Sequence, residues 1–223
     1  MRRAIVICEG QTEEAFISRV LVPPLLANGL YLQGITVNTS PGHKGGALSY
    51  DRLRRAVRNA LAGGDAVAVT TLIDLYRQDT GFPGFAVAAA QANLQARLHA
   101  LEAAFHADIV AFSGCDPARF VPHIQPHEFE ALLFSDVQAL AAVEAGWSGA
   151  AAALQEVRAQ GATPEDINQG HTTKPSSRLE ALLRSPGYRK LRHGPIAAER
   201  VGLTRMAQVC PHFARWLAHL RTL

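Results

Sequence analysis

Ile5-Val6-Ile7-Cys8-Glu9-Gly10-Gln11-Thr12-Glu13-Glu14-Ala15-Phe16 decides the fold. Its β-branched start reads as a buried strand, Gly10 as a tight turn, and Phe16, Ile17, Val20 and Leu21 as the apolar face of a following helix. Gln11 or Thr12 is expected near the N-cap. Strand, turn and helix in this order place Glu9 at the carboxyl end of the first strand, where open α/β sheets bind their ligands. Glu13, four residues on, can point into the same crevice. Two carboxylates beside a tight backbone suit a hard divalent cation such as Mg²⁺. The helix macrodipole alone accounts for Glu13 and Glu14; it does not account for Glu9, which precedes the helix.

A second strand is expected over Tyr31–Thr39, after a first helix that ends near Ala27-Asn28-Gly29 and is kinked by Pro23-Pro24. Ala66–Ile73 is a near-continuous apolar run of the kind found in parallel sheets covered on both faces. Asp74 follows it, in the position topologically equivalent to Glu9; a carboxylate there is costly unless solvated, hydrogen-bonded or metal-bound. A basic amphipathic helix spans Asp51–Ala62 and an alanine-rich helix Val87–Phe105. Ala107–Ser113 and Arg119–Gln125 read as two further strands. Pro126 then opens a helix through His127–Phe134, on whose regular form Glu128 and Glu130 cannot share a face. Glu128, nearer the strand end, is the preferred ligand; an irregular turn would let both reach the site. His127 is a ligand, base or phosphate contact, or a local hydrogen-bonding group.

Glu9-Gly10-Gln11-Thr12-Glu13 is similar to the Glu-Gly-x-x-Glu signature of Toprim domains, the Mg²⁺-binding α/β domains of topoisomerases, primases and overcoming-lysogenization-defect (OLD) nucleases. With Thr71-Leu72-Ile73-Asp74, Phe82-Pro83-Gly84, His127–Phe134 and Cys210-Pro211-His212-Phe213, the chain resembles the Toprim-like bacterial family called domain of unknown function 4276. The resemblance implies a Rossmann-like, mostly parallel α/β core over 1–135, with a helical extension, 136–223, packed on it. It implies metal-dependent cleavage of DNA or RNA in bacterial defence, beside an ATPase partner. Toprim domains usually carry Asp-x-Asp where this chain has Asp74-Leu75-Tyr76, so the second aspartate is missing, and Asp79 is a substitute.

The expected metal set for Mg²⁺ (or Mn²⁺) is therefore Glu9, Glu13, Asp74 and Glu128, with Glu9 also a general acid/base. Lys174 or Lys190 would stabilise the transition state, and Lys44, Arg77, His127, Arg178 and Arg192 would contact phosphate. The alternative is a non-catalytic phosphate- or nucleotide-sensing partner of an ATPase.

Composition supports a compact chain: 223 residues, 48% hydrophobic and 18% charged. No apolar run suits a membrane span or signal peptide, so a cytoplasmic location is expected. Three scattered cysteines, without Cys-x-x-Cys spacing, indicate neither a disulfide framework nor a zinc site. Residues 1–150 hold 11 Lys/Arg against 14 Asp/Glu, and residues 151–223 hold 11 against 5. An acidic site in one half and a basic surface in the other suit a polyanionic substrate.

Overall fold

A computed structural model describes residues 1–37, 49–75, 80–168, 170 and 173–223. Its sheet is parallel, with strands β1 (Arg2–Cys8), β2 (Leu30–Thr36), β3 (Ala68–Asp74), β4 (Phe120–Val121) and β5 (Ile124–Gln125). The order is β2-β1-β3-β4, with β5 also beside β3. The chain leaves β1 for β2 on one side and enters β3 on the other. The carboxyl ends of β1 and β3 therefore flank a topological switch point, where such sheets form a crevice.

Alternation along the strands divides the core in two. Ile5, Ile7, Val69 and Ile73 face α3 (Tyr50–Ala62), α4 (Phe85–Ala89) and α5 (Leu94–Ser113). Ala4, Val6, Cys8 and Leu72 face the other way. That side packs on α1 (Gln11–Phe16), α2 (Val22–Ala27) and the helices that follow the sheet: α6 (Val137–Ala141), α7 (Ala151–Arg158), α8 (Pro175–Leu182), α9 (Lys190–Val201), α10 (Leu203–Val209) and α11 (Pro211–Thr222). Phe213 and Trp216 of α11 lie in this core. Glu165, fully buried, accepts the amides of His212 and Phe213, both at 2.9 Å, and so caps α11.

The N-cap of the first helix is Gly10, with Gln11 and Thr12 directly after it, near the cap as expected. Several local expectations are corrected. A π-turn, Ile17–Leu21, separates α1 from α2: Pro23 and Pro24 have no amide to donate, and the wider turn accommodates the loss. The alanine-rich helix breaks after α4 and restarts at α5, where Asn93 caps it by accepting from the Ala96 amide. Ala107–Ser113 is not a strand. Leu98, Leu101, Phe105 and Ile109 continue one buried helical face until Gly114, at φ 66°, ends α5. Arg119–Gln125 is two short strands, because Pro122 has no amide for the ladder. Thr71 Oγ1 repairs the break, accepting from His123 N and donating to His123 O, each at 2.9 Å. His127–Phe134 is not a regular helix. His127 has φ 60°, Glu128 is extended, and a 3₁₀ segment runs over Phe129–Ser135.

Candidate functional site

The crevice at the switch point has a volume of about 190 Å³ and is lined by Glu9, Gly10, Gln11, Thr12, Glu13, Asp74, Lys190 and Leu191. β1 delivers Glu9, and Glu9 Oε1 accepts the Asp74 amide at 2.9 Å, tying the two strand ends together. Gly10 lets Glu13 fold back: a Cβ there would stand 3.3 Å from Glu13 Oε2. Asp74 Oδ1 accepts the Phe129 amide at 2.9 Å, which joins β3 to the 3₁₀ segment.

Lys190 is the half-buried centre of the cluster. Its Nζ lies 3.2 Å from Glu13 Oε1, 3.2 Å from Glu130 Oε2 and 3.8 Å from Asp74 Oδ2. Gly194, one turn further along α9, sets this position. A Cβ on Gly194 would meet Thr12 Cγ2 at 3.0 Å, so α9 approaches α1 this closely only without a side chain there. We expect Gly194→Val to destabilise the chain by ~1–3 kcal/mol and to shift Lys190 from its carboxylates. Thermal melting checks the first effect and the loss of cation-dependent properties of the crevice the second.

Electrostatics follow from crowding. Burial, above all, holds the Asp74 carboxyl well above its ordinary range; Lys190 opposes this, and Glu9, Glu13 and Glu130 add to it. Glu130 is raised for the same reason, again chiefly by burial. Lys190 is pushed up despite its burial, because Asp74, Glu130 and Glu13 surround it. Burial and then the charges of Glu13, Glu14 and Glu9 raise the Cys8 thiol, which disfavours the nucleophilic thiolate.

Glu128 stands differently. Its Oε1 meets Lys174 Nζ at 2.8 Å and its Oε2 accepts the Ser176 amide, in the first turn of α8, at 2.9 Å. Burial works to raise its carboxyl, but Lys174 and Ser176 outweigh it and hold the group low. Glu130, not preferred in the sequence reading, is the residue that joins Glu13 and Asp74 around Lys190. What brings it there is the irregular backbone, with His127 at φ 60° and Glu128 extended, which no feature of the local sequence announces.

The expected phosphate contacts are scattered. Lys44 and Arg77, like Asp79, lie outside the described residues. His127 Nδ1 is 3.0 Å from Asn168 Nδ2; burial, and Arg97 in addition, lowers it to about 4 against the pull of Asp166 and Glu128, so it is a neutral, locally bonded imidazole. Arg178 bonds Thr173 O and Gln160 Oε1, and Arg192 bonds Glu144 Oε1 at 2.8 Å. Neither lines the crevice.

Four carboxylates, Glu9, Glu13, Asp74 and Glu130, thus converge with one ammonium. Among the described residues, Glu130 Oε1 and Thr12 Oγ1 are buried with no hydrogen-bond partner. An all-oxygen set with excess negative charge and an orphaned oxygen fits Mg²⁺ or Mn²⁺.

The family described as domain of unknown function (DUF4276) matches residues 8–221. No curated protein gives a significant match. Among solved structures, the C-terminal region of the Burkholderia pseudomallei OLD protein aligns over 98% of this chain and 97% of that chain, at 14% identity and a TM-score of 0.44.

Proposed function

The chain belongs to the DUF4276 family, and from that premise we propose that it is a metal-dependent phosphodiesterase acting on DNA or RNA. One observation carries the proposal: acidic side chains from β1, α1, β3 and the 3₁₀ segment meet around Lys190 at the switch point. Glu9, Glu13, Asp74 and Glu130 would hold Mg²⁺ or Mn²⁺, with Glu128 behind them. When bound, the ion supplies Lewis acidity toward a phosphoryl oxygen and toward attacking water. Glu9 keeps the two strand ends in register through the Asp74 amide and is placed to move a proton at Oε2. Lys190 Nζ, in the wall of the crevice, offers positive charge to a phosphoryl oxygen, whereas Lys174 pairs with Glu128 and is not part of that wall. A role in bacterial defence beside an ATPase partner rests on the resemblance in sequence alone.

Tyr76, where Toprim-like sequences have their second aspartate, favours a non-catalytic phosphate sensor. The crevice opposes that alternative, because a phosphate entering it would face three carboxylates, Glu9, Glu13 and Asp74, and one ammonium. The test is incubation of the purified chain, with and without an ATPase partner, with labelled single- and double-stranded DNA and RNA. We expect cleavage with Mg²⁺ or Mn²⁺ and none with a chelator. Absence of metal-dependent cleavage on every substrate would leave the sensor as the better account.

A further inference from the structure

A second set of ligand-type side chains converges elsewhere. Glu102 comes from α5, His123 from the bend between β4 and β5, and His212 from the first turn of α11. One ligand atom from each lies within 4.8 Å of the others, although the residues are up to 110 positions apart. Glu102 Oε1 is 2.9 Å from His212 Nε2 and 3.9 Å from His123 Nδ1. The three border a cavity of about 170 Å³, with Arg215 and His219 also on its wall.

We propose that Glu102, His123 and His212 bind a first-row divalent transition ion of the Zn²⁺ type, at a site separate from the carboxylate crevice. Two imidazole nitrogens and one carboxylate oxygen are a borderline donor set, which favours such an ion over Mg²⁺. A tetrahedral ion with bonds of about 2.0–2.1 Å holds its ligand atoms roughly 3.3 Å apart. Two of the three separations, 2.9 and 3.9 Å, bracket that value and the third lies within 4.8 Å, so side-chain rotation would have to close the triangle around the ion.

The surroundings fix the ligands. The His123 ring stacks on Trp216, with centroids 4.5 Å apart and planes 9° apart, and on His212, at 4.9 Å and 23°. His123 Nε2 lies 3.3 Å from Gln125 Oε1. With Nε2–H donating to that oxygen, Nδ1 turns its lone pair toward Glu102. Outer hydrogen bonds of this kind orient metal-binding imidazoles. Glu102 Oε1 also accepts the Ile124 amide at 2.9 Å, which anchors the carboxylate.

His212 must change state on loading. Arg215 Nη2 lies 2.8 Å from His212 Nδ1, and a guanidinium only donates, so without an ion the Nε2 proton points at Glu102. Binding moves that proton to Nδ1 and turns away the exposed Arg215, which also bonds Gln95. The ion then replaces two hydrogen bonds, His212 to Glu102 and Arg215 to His212, and clamps α5, the sheet edge and α11 together.

The full-length chain, with its crevice held in millimolar Mg²⁺, is titrated with Zn²⁺ against a chromophoric chelator, and separately with Co²⁺ followed by visible absorption. One equivalent should bind, raise the melting temperature and give the absorption of a nitrogen-ligated, tetrahedral Co²⁺. His212→Gln and Glu102→Gln should each weaken Zn²⁺ binding by ~100-fold and remove the thermal shift. Glu102→Gln keeps an acceptor for the Ile124 amide, so it answers even if His212→Gln fails to fold. Failure to bind one equivalent, equal binding by wild type and Glu102→Gln, or binding lost in Glu9→Gln instead, would overturn the proposal.

Discussion

Glu9→Gln should lower metal-dependent phosphodiester cleavage by ~100-fold or more. Glutamine keeps an oxygen for the Asp74 amide and so preserves the contact between β1 and β3. What it removes is one negative charge from the crevice and one group able to take up a proton. Cleavage with Mg²⁺ and with Mn²⁺, nucleic-acid binding and thermal melting should be measured on the same preparation. Lost cleavage with binding and melting temperature retained supports a role in the chemistry. Activity falling only in step with the folded fraction would make Glu9 structural and sink the assignment.

Lys190→Met should have the largest effect on stability, on the order of 3 kcal/mol at neutral pH, with loss of cleavage as well. Glu13, Asp74 and Glu130 are almost wholly buried, and each loses its contact with the ammonium. Asp74 and Glu130 already hold their protons more tightly in the folded chain than they would unfolded. Between the ordinary carboxyl values and the raised ones, the folded state binds more protons, so stability falls as pH rises through that window. Removing Lys190 raises both groups further and widens the window upward. The deficit of Lys190→Met should therefore be greatest at neutral pH and shrink as pH falls toward about 4, the ordinary carboxyl range. Added Mg²⁺ should narrow it too, by replacing the lost positive charge. Denaturant unfolding across pH, with and without Mg²⁺, tests both; a deficit independent of pH and of Mg²⁺ would show that Lys190 contributes packing only.

Glu9 and Asp74 were legible in the sequence because each ends an apolar run, and parallel pairing brings such ends to one edge of the sheet. Lys190 was legible, as an alternative to Lys174, as the charge that would stabilise a transition state, but its buried carboxylate partners were not. Set in a run of basic residues, it reads as part of a polyanion-binding surface, yet it turns inward, and the reason lies at Gly194, whose missing side chain matters only once α1 is its neighbour. Glu130 was obscured by applying helical periodicity to a 3₁₀ segment that starts from an extended residue. Ala107–Ser113 was misread because Ile109 and Val110 look strand-like in a short window; over the longer window from Leu98 the four-residue spacing prevails. Glu102, His123 and His212 carry no local signal at all, since only the completed fold brings them together.

The indole of Trp216 donates to Thr70 Oγ1 at 2.8 Å, across 146 positions of sequence. Translation therefore delivers the middle strand of the sheet long before the group that covers it. Until α11 has left the ribosome, the side of the sheet carrying Ala4, Val6 and Leu72 lacks Phe213, Trp216 and Leu217, and Glu165 lacks the amides it accepts. Nascent chains with an exposed parallel sheet are prone to associate with one another. A ribosome that stalls before α11 is complete would thus release a sticky polypeptide and not a slightly shortened protein, which makes the speed of elongation through α11, and the chaperones waiting at the exit tunnel, part of what determines yield.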